Sequence, residues 1–320
     1  MRALFACLLL ASSFLVNAQY PNKPVRMIIP FAPGGASDHV GRIIQPRLGE
    51  LLGQTLVIEN RAGASGNIGL EAAAKAAPDG YTIYLGNVGT VAINPGVFPK
   101  LPVNPVKDFI AVTQVVDVPG VLVAHPTFPP NSIKDLMATA KAYPGKINYA
   151  SPGSGSQNRL EMEILRKAGG GLDMVHIPYK GGAGPAVTGL IAGETHIMFT
   201  TVSSAIGHIR GGRLKALVVV AAKRLPALPD VPTMVESGFP DSASGSWQGI
   251  FVPTGTPKDI VDRLYGVVQQ TMRTKDVVDR LAGGGVEVVL SGSSAAFQKY
   301  VADETVRWGR IARESGATVD

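Results

Sequence analysis

Short, mostly apolar runs alternate with helical-period segments along this chain, and small-residue turns separate them. The run Val25 to Phe31 reads as a buried strand. After Pro33, Gly34 and Gly35, apolar positions recur at helical spacing: Val40, Ile43, Ile44, Leu48 and Leu51. The same order returns in "TLVIEN", "RAGASGNIG" and "LEAAAKA", and "YTIYLG" runs into "NVGT". Further along, "INYA" leads through "SPGSGSQ" to "NRLEMEILRKA", "DMVHIPY" through "KGGAG" to "PAVTGLIAG", and "HIMFT" through "TVSS" to "AIGHIR". Buried strands alternating with helices predict an α/β protein with parallel sheets.

The repeats form two groups of three, Val25 to about Thr90 and about Ile147 to Arg210. Loops at the carboxyl ends of strands line the crevice of an α/β sheet. Two such sheets facing each other would place six glycine-rich loops around one cleft. "VVDVPGVLVAHP" (Val115 to Pro126) reads as a crossing between lobes and "SWQGIFVPTGTP" (Ser246 to Pro257) as the return. Helices over about Pro257 to Gly283, the strand "VEVVL" and a helix from Ser294 would complete the first lobe. The expected organisation is residues 19–120 and 251–320 as lobe 1 and 121–250 as lobe 2, with the crossings as a hinge.

Composition narrows the class. The 320 residues are 45% hydrophobic and 17% charged, enough apolar material for a large core. Residues 1–18 read as an export signal: Arg2, an apolar Ala3 to Val16 too short to span a bilayer, and the small-residue site Val16-Asn17-Ala18. Cleavage there starts the mature chain at Gln19 and removes Cys7, the single cysteine, leaving no thiol or disulfide. That suits a periplasmic protein with a large core. Without Arg2, 29 basic residues face 24 acidic ones, a net charge of +5. The basic residues are scattered without an aromatic-interleaved stripe, which argues against nucleic acid.

Enzyme motifs are missing. Ser154 sits in Pro-Gly-Ser-Gly-Ser and Ser65 in Gly-Ala-Ser-Gly-Asn, neither a Gly-x-Ser-x-Gly elbow. Gly63, Gly66 and Gly69 have the wrong spacing for a dinucleotide loop, and no Gly-Lys-Ser/Thr closes a phosphate loop, so no cofactor is expected. His39, His125, His176, His196 and His208 form no metal-ligand pair. His176 and His196 read as satisfied structural histidines, and His39 as a solvated helix position or a ligand contact.

What remains is a binding site without reactive groups. Gly34, Gly35 and Ala36 let a ligand approach their N–H groups, Ser37 adds a hydroxyl, and the helix after them offers unpaired donors and a partial positive end. "AGASGN" (Ala62 to Asn67) and "SPGSGSQ" (Ser151 to Gln157) repeat that chemistry. The competing reading makes these glycines ordinary strand-to-helix turns; three similar loops over both lobes favour the ligand. Asp38 has two open roles, stabilising the helix start or accepting from a ligand.

The motifs "IIPFAPGGASD", "VIENRAGASGNIG", "AAPDGYTIYLGN", "HIPYKGGAGPAVTGLIAGE", "IGHIRGGRLKALVV", "LPDVPTMVESGFP" and "FVPTGTP" resemble, in the same order, the extracytoplasmic solute-binding receptors of tripartite tricarboxylate transporters, the Bug proteins. The resemblance implies a type II periplasmic-binding-protein fold, no catalysis, and capture of a small carboxylate (mono-, di- or tricarboxylate, or an aromatic one). It also implies delivery by a monomeric receptor to a permease with a large and a small membrane subunit. One carboxylate would be held at Phe31 to Asp38, helped by Ala64, Ser65 and Asn67, with Asn87 counted among the contacts. Specificity would come from Ser151, Gly153, Ser154 and Ser156, from Tyr179, Lys180 and Gly181, and from Thr200 and Thr201. The family usually has an aspartate, often followed by asparagine, where Thr200 and Thr201 stand, so the distal end of the site departs from the pattern. Trp247 and Gln248 would flank the ligand, unless Trp247 packs the hinge. The rivals are a receptor serving a signalling partner and an exported hydrolase using Ser37, Ser154 or Ser156, none with an evident base.

Overall fold

The computed structural model describes residues 20–239 and 245–315. The expected export signal and Cys7 lie outside the described residues. In chain order the elements are β1 (Val25–Ile29), α1 (Ala36–Leu52), β2 (Leu56–Asn60), a 3-10 turn (Ala64–Gly66), α2 (Asn67–Ala74) and β3 (Thr82–Asn87). A π-turn (Gly89–Ile93) precedes α3 (Asn94–Val97), α4 (Pro105–Asp108), β4 (Phe109–Val118), β5 (Gly120–Ala124), α5 (Ile133–Ala142) and β6 (Asn148–Ser151). Then come α6 (Gln157–Ala168), β7 (Val175–Pro178), α7 (Ala183–Ile191), β8 (Ile197–Thr201), α8 (Val202–Arg210) and β9 (Lys215–Val220). The chain closes with β10 (Ser246–Pro253), α9 (Lys258–Met272), α10 (Lys275–Gly283), β11 (Glu287–Val288) and α11 (Ser294–Ser315).

Among the described residues the strands form a six-stranded sheet, ordered β11-β4-β10-β3-β1-β2, and a five-stranded sheet, ordered β7-β6-β8-β5-β9. The expected parallel sheets are mixed. β1 pairs with β2 and β3 in parallel, and β6 with β7 and β8, but β10 runs antiparallel to β3 and β4, β11 to β4, and β5 to β8 and β9. β5 and β10 each follow a passage between the sheets, whereas β11 returns to the edge of the first sheet after α9 and α10. Only Pro119 separates β4 in the first sheet from β5 in the second.

Helices cover both faces of each sheet, so the strands bury both sets of alternating side chains. Val25, Met27 and Ile29 of β1 enter one core with α1 and α9, while Ile28 enters another with α11. In β5, Leu122 and Ala124 face one core of the second sheet, and Val121 and Val123 the other. Most of "SWQGIFVPTGTP" is strand rather than crossing: Ser246 to Ile250 pair with Val118 to Thr113, so β10 belongs wholly to the first sheet and the boundary expected at 250/251 falls inside it. Its reason is packing, since Phe251 enters one core of that sheet and Ile250 and Val252 the other. "VEVVL" contributes only the two-residue β11.

Candidate functional site

The carboxyl ends of β1, β3, β6 and β8 meet at one cavity, together with β10 and the starts of α1, α6 and α7. It encloses about 570 Å³ of non-atom space, open mouth included. Phe31, Gly35, Ala36, Ser37, Ser65 and Asn87 line it from the first-sheet side, and Ser156 and Thr201 from the second. Four lining residues escape the sequence reading, Val88, Gly89, Asn158 and Ala183, while Pro152 and Gly155 belong to the loop Ser151 to Gln157 already singled out. Gln157, Ser246 and Gln248 also line it. Among the described residues no lining side chain is ionisable.

Loop geometry explains the donors. Gly34 takes φ +93°, the left-handed conformation that glycine tolerates, and this turns the chain from β1 toward α1. Gly35 is the N-cap with an ordinary extended backbone (φ −88°), and no side chain caps the helix. The first-turn N–H groups of a helix lack intrahelical acceptors, so those beside Ala36 and Ser37 are left for the cavity. α8 likewise starts at Thr201 without a side-chain cap. α6 differs, because Ser156 Oγ accepts from Arg159 N at 3.2 Å. Gly63 to Gly66 all have positive φ, Ala64 (46°) and Ser65 (54°) included. Non-glycine residues there cost of order 1 kcal/mol or more each, and such strain concentrates at functional sites.

Asp38 resolves toward structure. Its carboxylate accepts from Gly34 N (3.1 Å), Arg42 Nε (2.9 Å) and Asn60 Nδ2 (3.1 Å), and it does not line the cavity. Burial alone would raise its pKa, but Arg42, the Gly34 N–H and Asn60 outweigh it and hold the carboxyl below its ordinary range. The Gly34 N–H, expected to face the ligand, is thereby spent on Asp38. Asn60 also donates to the Phe31 carbonyl at 2.8 Å, tying the turn to β2.

Other expected residues fall elsewhere. Ala64, Gly153, Ser154, Tyr179, Lys180 and Gly181 line a second depression that shares Phe31, Ser65 and Pro152 with the cavity. Tyr179 donates its hydroxyl to Glu194 at 2.6 Å. Asn67 Oδ1 accepts from Asn94, bracing the 3-10 turn. Ser151 is fully buried against His176. Thr200 is fully buried too, because along β8 it shares the face of Met198, which packs in the core, while Thr201 reaches the cavity. Asn87 donates to Ser37 Oγ at 3.3 Å and accepts from Thr90 N at 3.0 Å, locking β3 to α1. His39 is no solvated position: its Nε2 is buried against Gly284, away from the cavity. Trp247 packs on Phe297 and Tyr300 of α11 and does not line the cavity.

Ser151 Oγ and His176 Nε2 lie 2.6 Å apart, a distance that suits a nucleophile and its base. The second nitrogen decides otherwise. Arg159 Nη1, which can only donate, lies 3.3 Å from His176 Nδ1, so the neutral ring carries its proton on Nε2 and donates to the serine. That tautomer cannot take a proton from Ser151, which is also sealed from the cavity.

The two halves touch along a glycine seam. Ala32 N donates to Gly181 O at 2.8 Å. A Cβ on Gly153 would stand 2.5 Å from Ser65 Oγ, on Gly155 1.9 Å from Asn94 Oδ1, and on Gly184 2.3 Å from Pro33 O.

The profile described as tripartite tricarboxylate transporter family receptor matches residues 40–317. Protein BugT of Bordetella pertussis is 37% identical over 300 residues, 93% of this chain and 91% of BugT. Among solved structures, MatC from Rhodopseudomonas palustris with bound malate superposes with a TM-score of 0.86 at 33% identity, covering 92% of this chain and all (100%) of that one. An R. palustris protein with adipate gives 0.89 at 32% identity, over 94% and 100% of the two chains. A cavity between two α/β sheets, ringed by helix starts, thus sits in a periplasmic-binding-protein fold, and the chain belongs to the tripartite tricarboxylate transporter receptor family, the solute-binding Bug proteins.

Proposed function

We propose that the chain is an exported periplasmic receptor that captures a small organic acid by its carboxylate and hands it, chemically unchanged, to a membrane permease. The observation that carries this reading is a cavity that shows no ionisable side chain among the described residues and nonetheless meets the uncapped starts of α1 and α8. Backbone donors and helix ends stabilise an anion there without a counter-charge. The relatives with malate and adipate fit a ligand of this charge. A hydrolase is disfavoured by the His176 tautomer and by the serines: Ser37 holds Asn87, and Ser156 caps α6. The ligand contacts are Ser37 and the N–H groups at Gly35 to Ser37, with Ser65, Asn87, Ser156 and Thr201 completing the shell.

Calorimetry on an acid and its primary amide tests the reading. Charge-assisted hydrogen bonds contribute about 1.5–3 kcal/mol each, so losing two weakens binding about a hundredfold or more. Equal affinities, or recovery of an altered ligand, would refute it.

A further inference from the structure

The α1 end of the cavity provides for one carboxylate. Another part of its wall is built from side-chain amides: Gln157 and Asn158 at the start of α6, and Gln248 on β10. Behind the two α6 amides lies Glu161, one turn on. Gln157 Nε2 donates to its Oε1 at 2.9 Å, and Asn158 Nδ2 donates to its Oε2 at 3.2 Å. Glu161 is buried, with no arginine or lysine paired to it among the described residues. Both Glu161 oxygens thus accept from an amide NH2 group, and these two bonds fix which way the amides point. The Asn158 NH2 group is drawn to Glu161, and its carbonyl oxygen accepts no hydrogen bond among the described residues. Gln248 adds an independent observation. Its residue is 1% exposed and lines the cavity, and its Oε1 is buried with no hydrogen-bond partner among the described residues. A buried acceptor without a donor is costly, so its donor is to be sought in what fills the cavity.

Resting on the carboxylate reading above, we infer that Gln248 and Asn158 form an acceptor face oriented by Glu161, and that the captured acid carries a hydroxyl or ammonium donor besides its carboxylate. A plain alkyl chain would leave the two oxygens unpaired. A second carboxylate would bring acceptor against acceptor, with the Glu161 carboxyl behind them. Glu161 touches no ligand here; it is a positioning residue.

The test is calorimetry on the mature full chain with two matched series. The four-carbon series is butyrate, the 2-, 3- and 4-hydroxybutyrates, the corresponding aminobutyrates and succinate. The six-carbon series is hexanoate, its hydroxy and amino derivatives, and adipate. At least one donor-bearing acid is expected to bind tenfold or more tighter than both the plain acid and the diacid of its length, and the hydroxy and amino arms tell the two donors apart. A plain acid or diacid that binds as tightly as every donor-bearing acid would overturn this inference and leave the carboxylate reading standing. No binding by any of these acids would overturn both.

Two variants check the residues. Gln248→Met keeps the volume and removes the acceptor; it should fold normally, because that amide makes no hydrogen bond to described residues, and the donor preference should fall at least fivefold. Glu161→Gln can itself donate, so it frees the α6 amides to turn; the preference ratio should fall while affinity for the plain acid holds. A merely structural Glu161 would move both affinities together, and an unchanged ratio in either variant would overturn the role given to that residue.

Discussion

Replacing Gly184 by alanine separates closure of the cleft from folding of the second half. Gly184 is the second residue of α7, with no positive φ to forbid a side chain, and alanine is favoured over glycine in a helix by up to about 1 kcal/mol. The unliganded protein should therefore melt at the same temperature or slightly higher. The added Cβ, however, would stand 2.3 Å from the Pro33 carbonyl oxygen and 3.3 Å from its carbon, both backbone atoms of the opposing turn. Restoring ordinary contact moves the seam apart by about 1 Å. Overpacking of that kind costs roughly 1–3 kcal/mol, and with the hinge expected between the two halves the penalty falls on the closed form, so the expected outcome is a loss of affinity of about 5- to 150-fold. Calorimetry with any acid the wild type binds measures it. Gly207→Ala in α8 is the control, since no atom lies within 4 Å of the methyl it would add, and it should leave affinity untouched. Affinity within twofold of wild type for Gly184→Ala would sink the idea that the α7 start closes onto the Pro33 turn.

Burial raises the Glu161 pKa to about 7, against the weaker opposing pull of Asn158 and Gln157. Its contribution to stability is therefore full below the ordinary carboxylate range and is lost as pH rises through about 7, so Glu161→Gln should match wild type near pH 5 and exceed it by up to about 3 kcal/mol near pH 8 in thermal melts. Gly120 of β5 packs against the same carboxyl and brings no charge. Asp38→Asn should cost about 2 kcal/mol at neutral pH, discounted for the half-exposed Arg42, and the difference should shrink in acid as the wild-type carboxylate protonates; a pH-independent difference would contradict the assignment. Asn60→Leu removes the donor shared by Phe31 O and Asp38 Oδ1, and should lower acid affinity severalfold through the turn although Asn60 does not line the cavity, as titration would reveal.

Much of the cavity is legible in the sequence because strand, small-residue turn and helix leave a joint signal: an apolar run, a glycine, then the 3.6-residue period. That signal places the start of α1, and with it Gly35 to Ser37. It says nothing of strand direction, so the antiparallel partners β4 and β10 read only as linkers. It also assigns N–H groups by proximity, and at Gly34 a nearby carboxylate claims one of them. Parity along β8 separates Thr201 from Thr200, but only the register with β5 and β6 fixes which face is which. Asn158 escapes because an asparagine in a helix start has no motif of its own, and the partner that orients its amide follows three residues later in an ordinary-looking "NRLE".

Both tryptophans of the chain, Trp247 and Trp308, donate their indole N–H to the same carboxylate oxygen of Glu304, at 3.0 and 2.9 Å, inside the core beneath α11. Neither lines the cavity. Intrinsic ultraviolet emission from this receptor therefore reports first on the integrity of one core: a flat titration at the tryptophan band is no proof that an acid fails to bind, and a screen built on that signal alone would discard true ligands.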